Sequence, residues 1–493
     1  MHTQTSVIVA FALYLGLMMY IGIYYYRKSK NLSDYILGGR QLGPWITSMS
    51  AEASDMSGWM LMGLPGFAYA SGLSAIWIAI GLAAGTWLNW VFVSKRLRNH
   101  TEVASNSLTI PDYLRNRFHD TGKALPIISA LFIVIFFLIY TSSGFVAGGK
   151  LFTTIFGLDY LTSLFITAGV VIFYTFLGGF LAVSWTDFIQ GMMMFFAILL
   201  VPTTAVIAMH GPVNTAALIE SEFPQGLSVL GSAPDTVTLV IGIISSLAWG
   251  LGYFGQPHIL VRFMAISDSK ELTKATRIAM TWVIISLSAA VAVGLVGRVY
   301  LPELLEGAKA ETVFLVMSES LFSPFIAGLI WSAVLAAIMS TSSAQLLVTA
   351  SSVAQDLYKN LVGHRPGDRE LILVSRITVL IVAAIALSLA LNPDSYILTM
   401  VAYAWAGFGA AFGPAILISL FWRRMTRLGC VAGVTVGGLT VLIWKQFEWF
   451  GLYEIVPGFL FATIAIIVVS LLDAPPSKAI TDEFDEAQRR HIL

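Results

Sequence analysis

Again and again along this 493-residue chain, about twenty residues pass with almost no charge. A bilayer core of about 30 Å takes about 20 apolar residues in helix, because in lipid every backbone N–H and C=O has to be bonded within the segment. Segments of that kind run from Ser6 to Tyr26, Ser74 to Val93, Leu125 to Ala147, Tyr160 to Phe180, Phe188 to Met209 and Val237 to Phe254. They continue from Ile278 to Leu301, Phe325 to Ala350, Leu371 to Leu391, Tyr396 to Trp422, Gly429 to Trp444 and Ile455 to Leu472. A further one, Trp45 to Ala70, is apolar at both ends and carries Glu52 and Asp55 inside. The expectation is an all-α integral membrane protein with 13 transmembrane helices. Only 11% of residues are charged, against about a quarter in a soluble domain, which excludes a soluble enzyme. The longest loops, 95–124 and 210–236, have room for short interfacial helices only. The 473–493 tail is polar and reads as a helix extension or as disorder.

The loops give a direction, because Lys and Arg are retained on the cytoplasmic side. Arg27, Lys28, Lys30 and Arg40 follow the first segment, and Lys95, Arg96, Arg98, Arg115, Arg117 and Lys123 follow the third. Placing those loops inside leaves only Lys150, Arg298, Lys309 and Lys445 outside. The amino end is then external and the carboxyl end cytoplasmic. The first segment lacks a small-residue cleavage site and is expected to stay as a span.

Several chemistries have no residues to support them. Lys plus Arg and Asp plus Glu both number 28, so nucleic acid is not a partner. Cys430 is the single cysteine, so internal disulfides and thiolate metal sites are excluded. No G-x-x-x-x-G-K-[ST] cradle for ATP occurs, so any pumping draws on a gradient. The formal G-x-G-x-x-G at Gly250–Gly255 sits inside an apolar segment, where a dinucleotide turn has neither its strand nor its helix. No organic cofactor and no catalytic residues are expected.

Those same glycines, with Pro257 behind them, predict a broken helix, which membranes tolerate where neighbours satisfy the backbone. A second break is predicted at Ser50-Ala51-Glu52-Ala53-Ser54-Asp55-Met56-Ser57-Gly58, before Gly63, Pro65 and Gly66. A carboxylate inside the membrane costs about 2.5 to 3.5 kcal/mol, which marks Asp55 as a functional candidate; the alternative is a group hydrated near the inner mouth or bonded to a freed backbone amide. Glu52 is left open between a functional group and a solvated rim. The breaks fall in the second and seventh spans, five apart, so two five-helix units starting there have opposite topology, the inverted-repeat pattern of secondary transporters. Ser340-Thr341-Ser342-Ser343 with Gln345 lies in the ninth span, where hydroxyls can join freed carbonyls around a hard cation such as sodium, or simply bond helix to helix. No Lys or Arg is expected near the middle of any helix, which favours a net-neutral zwitterion as the solute. Tyr140, Trp249 and Tyr253 can form an aromatic wall for it, or pack as ordinary core and interface residues.

The stretches Ser54-Asp55-Met56-Ser57-Gly58-Trp59, Gly178-Gly179-Phe180-Leu181-Ala182-Val183-Ser184-Trp185-Thr186-Asp187, Trp249-Gly250-Leu251-Gly252-Tyr253-Phe254-Gly255-Gln256-Pro257-His258 and Ala404-Trp405-Ala406-Gly407-Phe408-Gly409 resemble the sodium/solute symporter family over essentially the whole chain. The third stretch favours, within the family, members that carry L-proline. The resemblance implies a leucine-transporter-type five-plus-five inverted repeat with one helix before and two after. It divides the chain into residues 1–40 (first helix and loop), 41–210 (first repeat, spans 2 to 6), 211–424 (second repeat, spans 7 to 11) and 425–493 (two peripheral helices and tail). It implies sodium as coupling ion, held by backbone oxygens of Ala53, Met56 and Ala337 and the hydroxyls of Ser340 and Thr341. Asp55 and Asp187 assist sodium at the site and at its cytoplasmic exit. Proline sits near Ser57, Gly58, Tyr140, Trp249, Tyr253 and Pro257. The family usually carries a small residue where Glu52 stands, which leaves a proton's part in sodium release open. The location implied is the bacterial cytoplasmic (inner) membrane, with lipid around the protein and no obligatory protein partner.

Other readings use the same residues: a cation channel, a sodium/proton antiporter, a membrane sensor, or a symporter for pantothenate, a sugar or a carboxylate. A current that requires added solute separates symport from a channel.

Overall fold

The computed structural model describes residues 2–26, 32–177, 179–362 and 366–492. Arg27, Lys28, Lys30 and Gly178 lie outside them. Among the described residues all regular secondary structure is helical, apart from one isolated β-bridge. After α1 (His2–Tyr26) come α2 (Pro44–Asp55), α3 (Leu64–Ser71), α4 (Ile76–Leu88), α5 (Lys95–Val103) and the short α6 (Ile110–Arg117). Then follow α7 (Ala124–Phe156), α8 (Tyr160–Leu177), α9 (Phe180–Ala208), α10 (Thr236–Leu247), α11 (Pro257–Ala265) and α12 (Leu272–Tyr300). The last are α13 (Pro324–Ser352), α14 (Asp368–Leu389), α15 (Ile397–Phe421), α16 (Arg427–Phe447), α17 (Ile455–Leu472) and α18 (Lys478–Ile492). Pro44, Pro257 and Pro324 stand at the first turn of their helices, where a missing N–H costs nothing.

Among the described residues, eleven helices are long and apolar enough to cross a membrane. Two expected spans fall outside that measure. The Trp45–Ala70 segment is divided between α2 and α3, and the apolar run Tyr160–Phe176 is shorter. The loop helices expected between spans are present as α6 and Pro212–Glu222.

Burial sorts the helices. In α13 every residue from Ile330 to Ser352 is buried, so this helix has protein on all sides. It packs against α1, α2, α7, α9 and α14. In α14, by contrast, Leu373, Ile377, Leu380 and Ile381 form an exposed apolar face, as a lipid-facing helix requires.

At the end carrying the basic loops, the two half-helices α2 and α11 are stitched together. Leu42 N–H donates to Ala265 O (3.2 Å) and Ser267 N–H donates to Leu42 O (3.0 Å), forming the parallel bridge Leu42–Ile266. The tail is a separate helix, α18, lying across that end against α5. Phe484 is buried there under the Arg117 guanidinium, 4.9 Å from the ring centre. His119 meets Glu483 (3.0 Å) and Arg423 meets Asp485 (2.9 Å). At the opposite end, Lys150 of α7 forms a buried ion pair with Glu311 (2.7 Å), which also accepts the Ile397 and Leu398 N–H groups opening α15.

Candidate functional site

Both predicted breaks are present, and they meet where Tyr253 reaches Asp55. The α2 helix ends at Asp55, and Met56 leaves helical geometry (φ −82°, ψ 80°) with its N–H on Glu52 O. Winding resumes at Trp59 as a wide turn leading into α3. After α10 the chain tightens into a 3-10 turn over Ala248–Gly255, goes extended at Gln256 (φ −80°, ψ 105°) and restarts at Pro257. The glycines there answer to close approach. A Cβ on Gly250 would stand 2.3 Å from Gly81 O, and one on Gly252 would stand 1.8 Å from the Trp405 indole nitrogen. That indole donates to Trp249 O (2.7 Å), so the unwound turn is held by α15.

Four of the five expected sodium ligands come together. Ser340 Oγ lies 2.7 Å from Ala53 O and 3.2 Å from Ala337 O, and Thr341 Oγ1 lies 3.4 Å from Ala53 O. Met56, buried, stands three residues further on at the break itself. The set is all oxygen and neutral, carbonyls with hydroxyls, which suits a hard monovalent cation. Among the described residues no cluster of three or more His, Cys, Asp or Glu exists for a harder-bound metal.

The expected solute residues converge on Asp55. Tyr253 OH donates to Asp55 Oδ2 (2.7 Å), while Asp55 O accepts from Trp59 Nε1 (2.9 Å) and Tyr140 OH (3.4 Å). Asp55 Oδ1 has no hydrogen-bond partner. The Tyr253 ring stands edge-on to Trp405 (4.9 Å), and Trp249 lies between Trp405 and Tyr453. Ser57 Oγ faces the Trp59 N–H (3.4 Å). A Cβ on Gly58 would come within 2.7 Å of Ala147, so α7 presses on the break. Pro257 stands on the basic side of this group, lining a narrow crevice with Ile133 and Val261. Of Ser57, Tyr140, Trp249 and Tyr253, the most exposed is Trp249 at 6%, so all four are buried.

Two acidic residues have partners the sequence did not supply. Asp187 Oδ2 accepts from Ser50 Oγ (2.7 Å) and from Arg262 Nη2 (3.2 Å). By hydropathy the seventh span ends at Phe254, and no Lys or Arg is expected near a helix middle. Arg262 corrects that: the helix restarts beyond Gln256, and Arg262 sits in α11 at 1% exposure. The signal was present in Pro257 followed by the largely apolar His258–Ala265 run. Glu52 is no solvated rim group. It is 2% exposed, with Oε1 on the Trp90 indole N–H (3.0 Å) and Oε2 unpartnered. His258, unremarked in the sequence, is fully buried beside Tyr140 (ring centres 5.8 Å apart), and neither ring nitrogen has a hydrogen-bond partner.

The model of the sodium:solute symporter family matches residues 35–437. The chain is 50% identical over 496 aligned residues to the sodium/proline symporter of Escherichia coli K12, covering 100% of this chain and 98% of that one. It is 50% identical over 473 residues to the high-affinity proline transporter PutP of Bacillus subtilis 168, covering 96% and 99%. Its fold is similar to that of a Na+-coupled sialic acid symporter solved in a substrate-bound outward-open state, with a TM-score of 0.78 at 20% identity, covering 96% and 99%.

Proposed function

The chain belongs to the sodium:solute symporter family, and on that footing we propose that it carries L-proline into the cell together with sodium, driven by the sodium gradient. The observation that carries this reading is the 50% identity over the full length of a sodium/proline symporter. The geometry supplies the means. Sodium is held by backbone oxygens of Ala53, Met56 and Ala337 and hydroxyls of Ser340 and Thr341. Asp55 lends its charge to the site, and Asp187 to the ion's departure. Proline lies among Ser57, Gly58, Tyr140, Trp249, Tyr253 and Pro257.

Coupling follows from chain continuity. Ala53 touches the sodium hydroxyls and Asp55, two residues on, holds Tyr253 and Tyr140. An ion that draws α13 against Ala53 sets the half-helix end that shapes the solute site, so each ligand raises the other's affinity by the same factor. One sodium moving down about 100 mV releases about 2.3 kcal/mol and a tenfold gradient adds about 1.4, enough for several-hundred-fold accumulation.

In this reading α8 and the α2–α3 pair complete thirteen spans. The repeats are residues 41–210 and 211–424, related by the inverted topology of their broken first helices. Residues 1–40 precede them and 425–493 follow. The basic end is cytoplasmic, the amino end external, and the location is the bacterial inner membrane.

The test is uptake of radiolabelled proline into proteoliposomes under an inward sodium gradient and under an equal potassium gradient at matched membrane potential. Accumulation with sodium alone is expected. Equal uptake in both, from protein shown to be folded, overturns the reading.

A further inference from the structure

Below the proposed sodium site, α13 does not become apolar. Thr341, Gln345, Val348, Ser352 and Asp356 follow at spacings of four, three, four and four, which keeps them on one helical face. They descend about 22 Å toward the basic end at 1.5 Å per residue. The helix widens over Val353–Tyr358 at the foot of this row. Thr341, Gln345, Ser352 and Asp356 are each at most 2% exposed, in a helix walled in by protein, where polar groups are costly without a use. Gln345 Oε1 takes the Thr141 hydroxyl (3.2 Å), and its Nε2 has no hydrogen-bond partner.

Asp356 closes the row. Both of its carboxylate oxygens lie 3.0 Å from Thr109 Oγ1, and it forms no ion pair among the described residues. The Arg115 guanidinium is turned instead to Asn360 Oδ1 (3.3 Å). Thr109 is the N-cap of α6, its hydroxyl accepting the Asp112 N–H (3.1 Å), so one side chain both starts that helix and shuts the mouth. The narrow crevice that reaches Pro257 is lined by Val348 and Ser352 from α13 and by Thr109 from this mouth. A buried carboxylate whose bonded partner is a neutral hydroxyl can exchange that hydroxyl for a cation and gain charge neutralisation.

We infer that this face of α13 is the path by which sodium leaves for the cytoplasm, with Asp356 as its last binding site and the Thr109 hydroxyl as the latch the ion displaces. The inference rests on the symport reading. A purely structural Asp356, stapling α6 to α13, predicts different behaviour, because an amide in its place still accepts the Thr109 proton.

The experiment compares the two faces of the membrane. Right-side-out vesicles present the external face to added sodium and inside-out vesicles present the cytoplasmic face; in both, radiolabelled proline uptake is followed against sodium concentration. For Asp356→Asn the cytoplasmic half-saturating sodium rises about fivefold or more, as expected for one lost charged ligand, while the external value stays within about twofold. Asp356→Glu restores the cytoplasmic value. An equal shift on both faces, or none on the cytoplasmic face, overturns the inference. If Asp356→Asn does not reach the membrane, Ser352→Ala is read in the same way, and absence of a cytoplasmic shift again overturns it. Wild-type vesicles without sodium-driven uptake overturn the symport reading itself, which separates the two failures.

Discussion

Replacing Ser340 by Ala removes one oxygen from the proposed sodium site without changing charge, and the geometry sets the size of the effect. Without the ion, the hydroxyl stands 2.7 Å from Ala53 O and 3.2 Å from Ala337 O, an ordinary neutral hydrogen bond whose net worth is about 1 kcal/mol. With the ion bound, the same oxygen turns its lone pair to a full charge, an interaction nearer about 2 to 2.5 kcal/mol. Sodium affinity feels only the difference, about 1 to 1.5 kcal/mol, which is roughly a five- to tenfold rise in half-saturating sodium. Thr341, at 3.4 Å from Ala53 O, makes the weaker bond in the ion-free state and so offsets less of its loss; Thr341→Ala is expected to raise the sodium requirement at least as far. The assay is initial-rate proline uptake in proteoliposomes as sodium is varied at fixed potential, with proline saturating. Sodium curves unmoved within about twofold in both variants would refute the assignment, since no neutral oxygen ligand is lost for less than that.

Other substitutions test the rest of the site. Tyr253→Phe leaves Asp55 Oδ2 without its 2.7 Å donor, beside an Oδ1 that already has none. A loss of about 1 to 3 kcal/mol is expected, visible as a lower thermal midpoint in detergent together with a raised proline half-saturation. Gly252→Ala drives a Cβ into the Trp405 indole and breaks its bond to Trp249 O, so uptake falls by about tenfold or more. Gly16→Ala, with nothing within 4 Å, keeps its rate within about twofold. Lys150→Met strands the Glu311 carboxylate in a buried setting at a cost of about 3 kcal/mol, and adding Glu311→Gln recovers part of the lost thermal midpoint. Equal midpoints for the single and double variants would show that the pair is not coupled.

Local signals carried far in this chain. The two helix breaks were legible because Gly250, Gly252, Gly255 and Pro257, and the small polar run around Asp55, contradict a continuous span wherever they occur. The face of Ser340 and Thr341 was legible as a cation-binding candidate, since hydroxyls stand out in an apolar helix. Through-space pairings were not. Nothing near Asp55 announces Tyr253, 198 residues away, and nothing near Glu52 announces Trp90. Arg262 was missed because a window looking for twenty apolar residues stops at the break, whereas the helix continues on its other side. The Lys150–Glu311 pair was hidden for a different reason: both residues read as loop charges until α7 is seen to extend past its apolar stretch to Phe156.

The bridge at Leu42 and Ile266 bears on fidelity of transport. It joins the basic ends of the two half-helices by a pair of backbone hydrogen bonds, one in each direction along the strand pair. Neither end can withdraw alone without breaking both bonds, so separating the two ends costs both hydrogen bonds together. Slippage, the passage of an ion through one retracted half while the other still grips the solute, then requires rupture of two main-chain hydrogen bonds, whose donors only a proline at position 42 or 267 would take away.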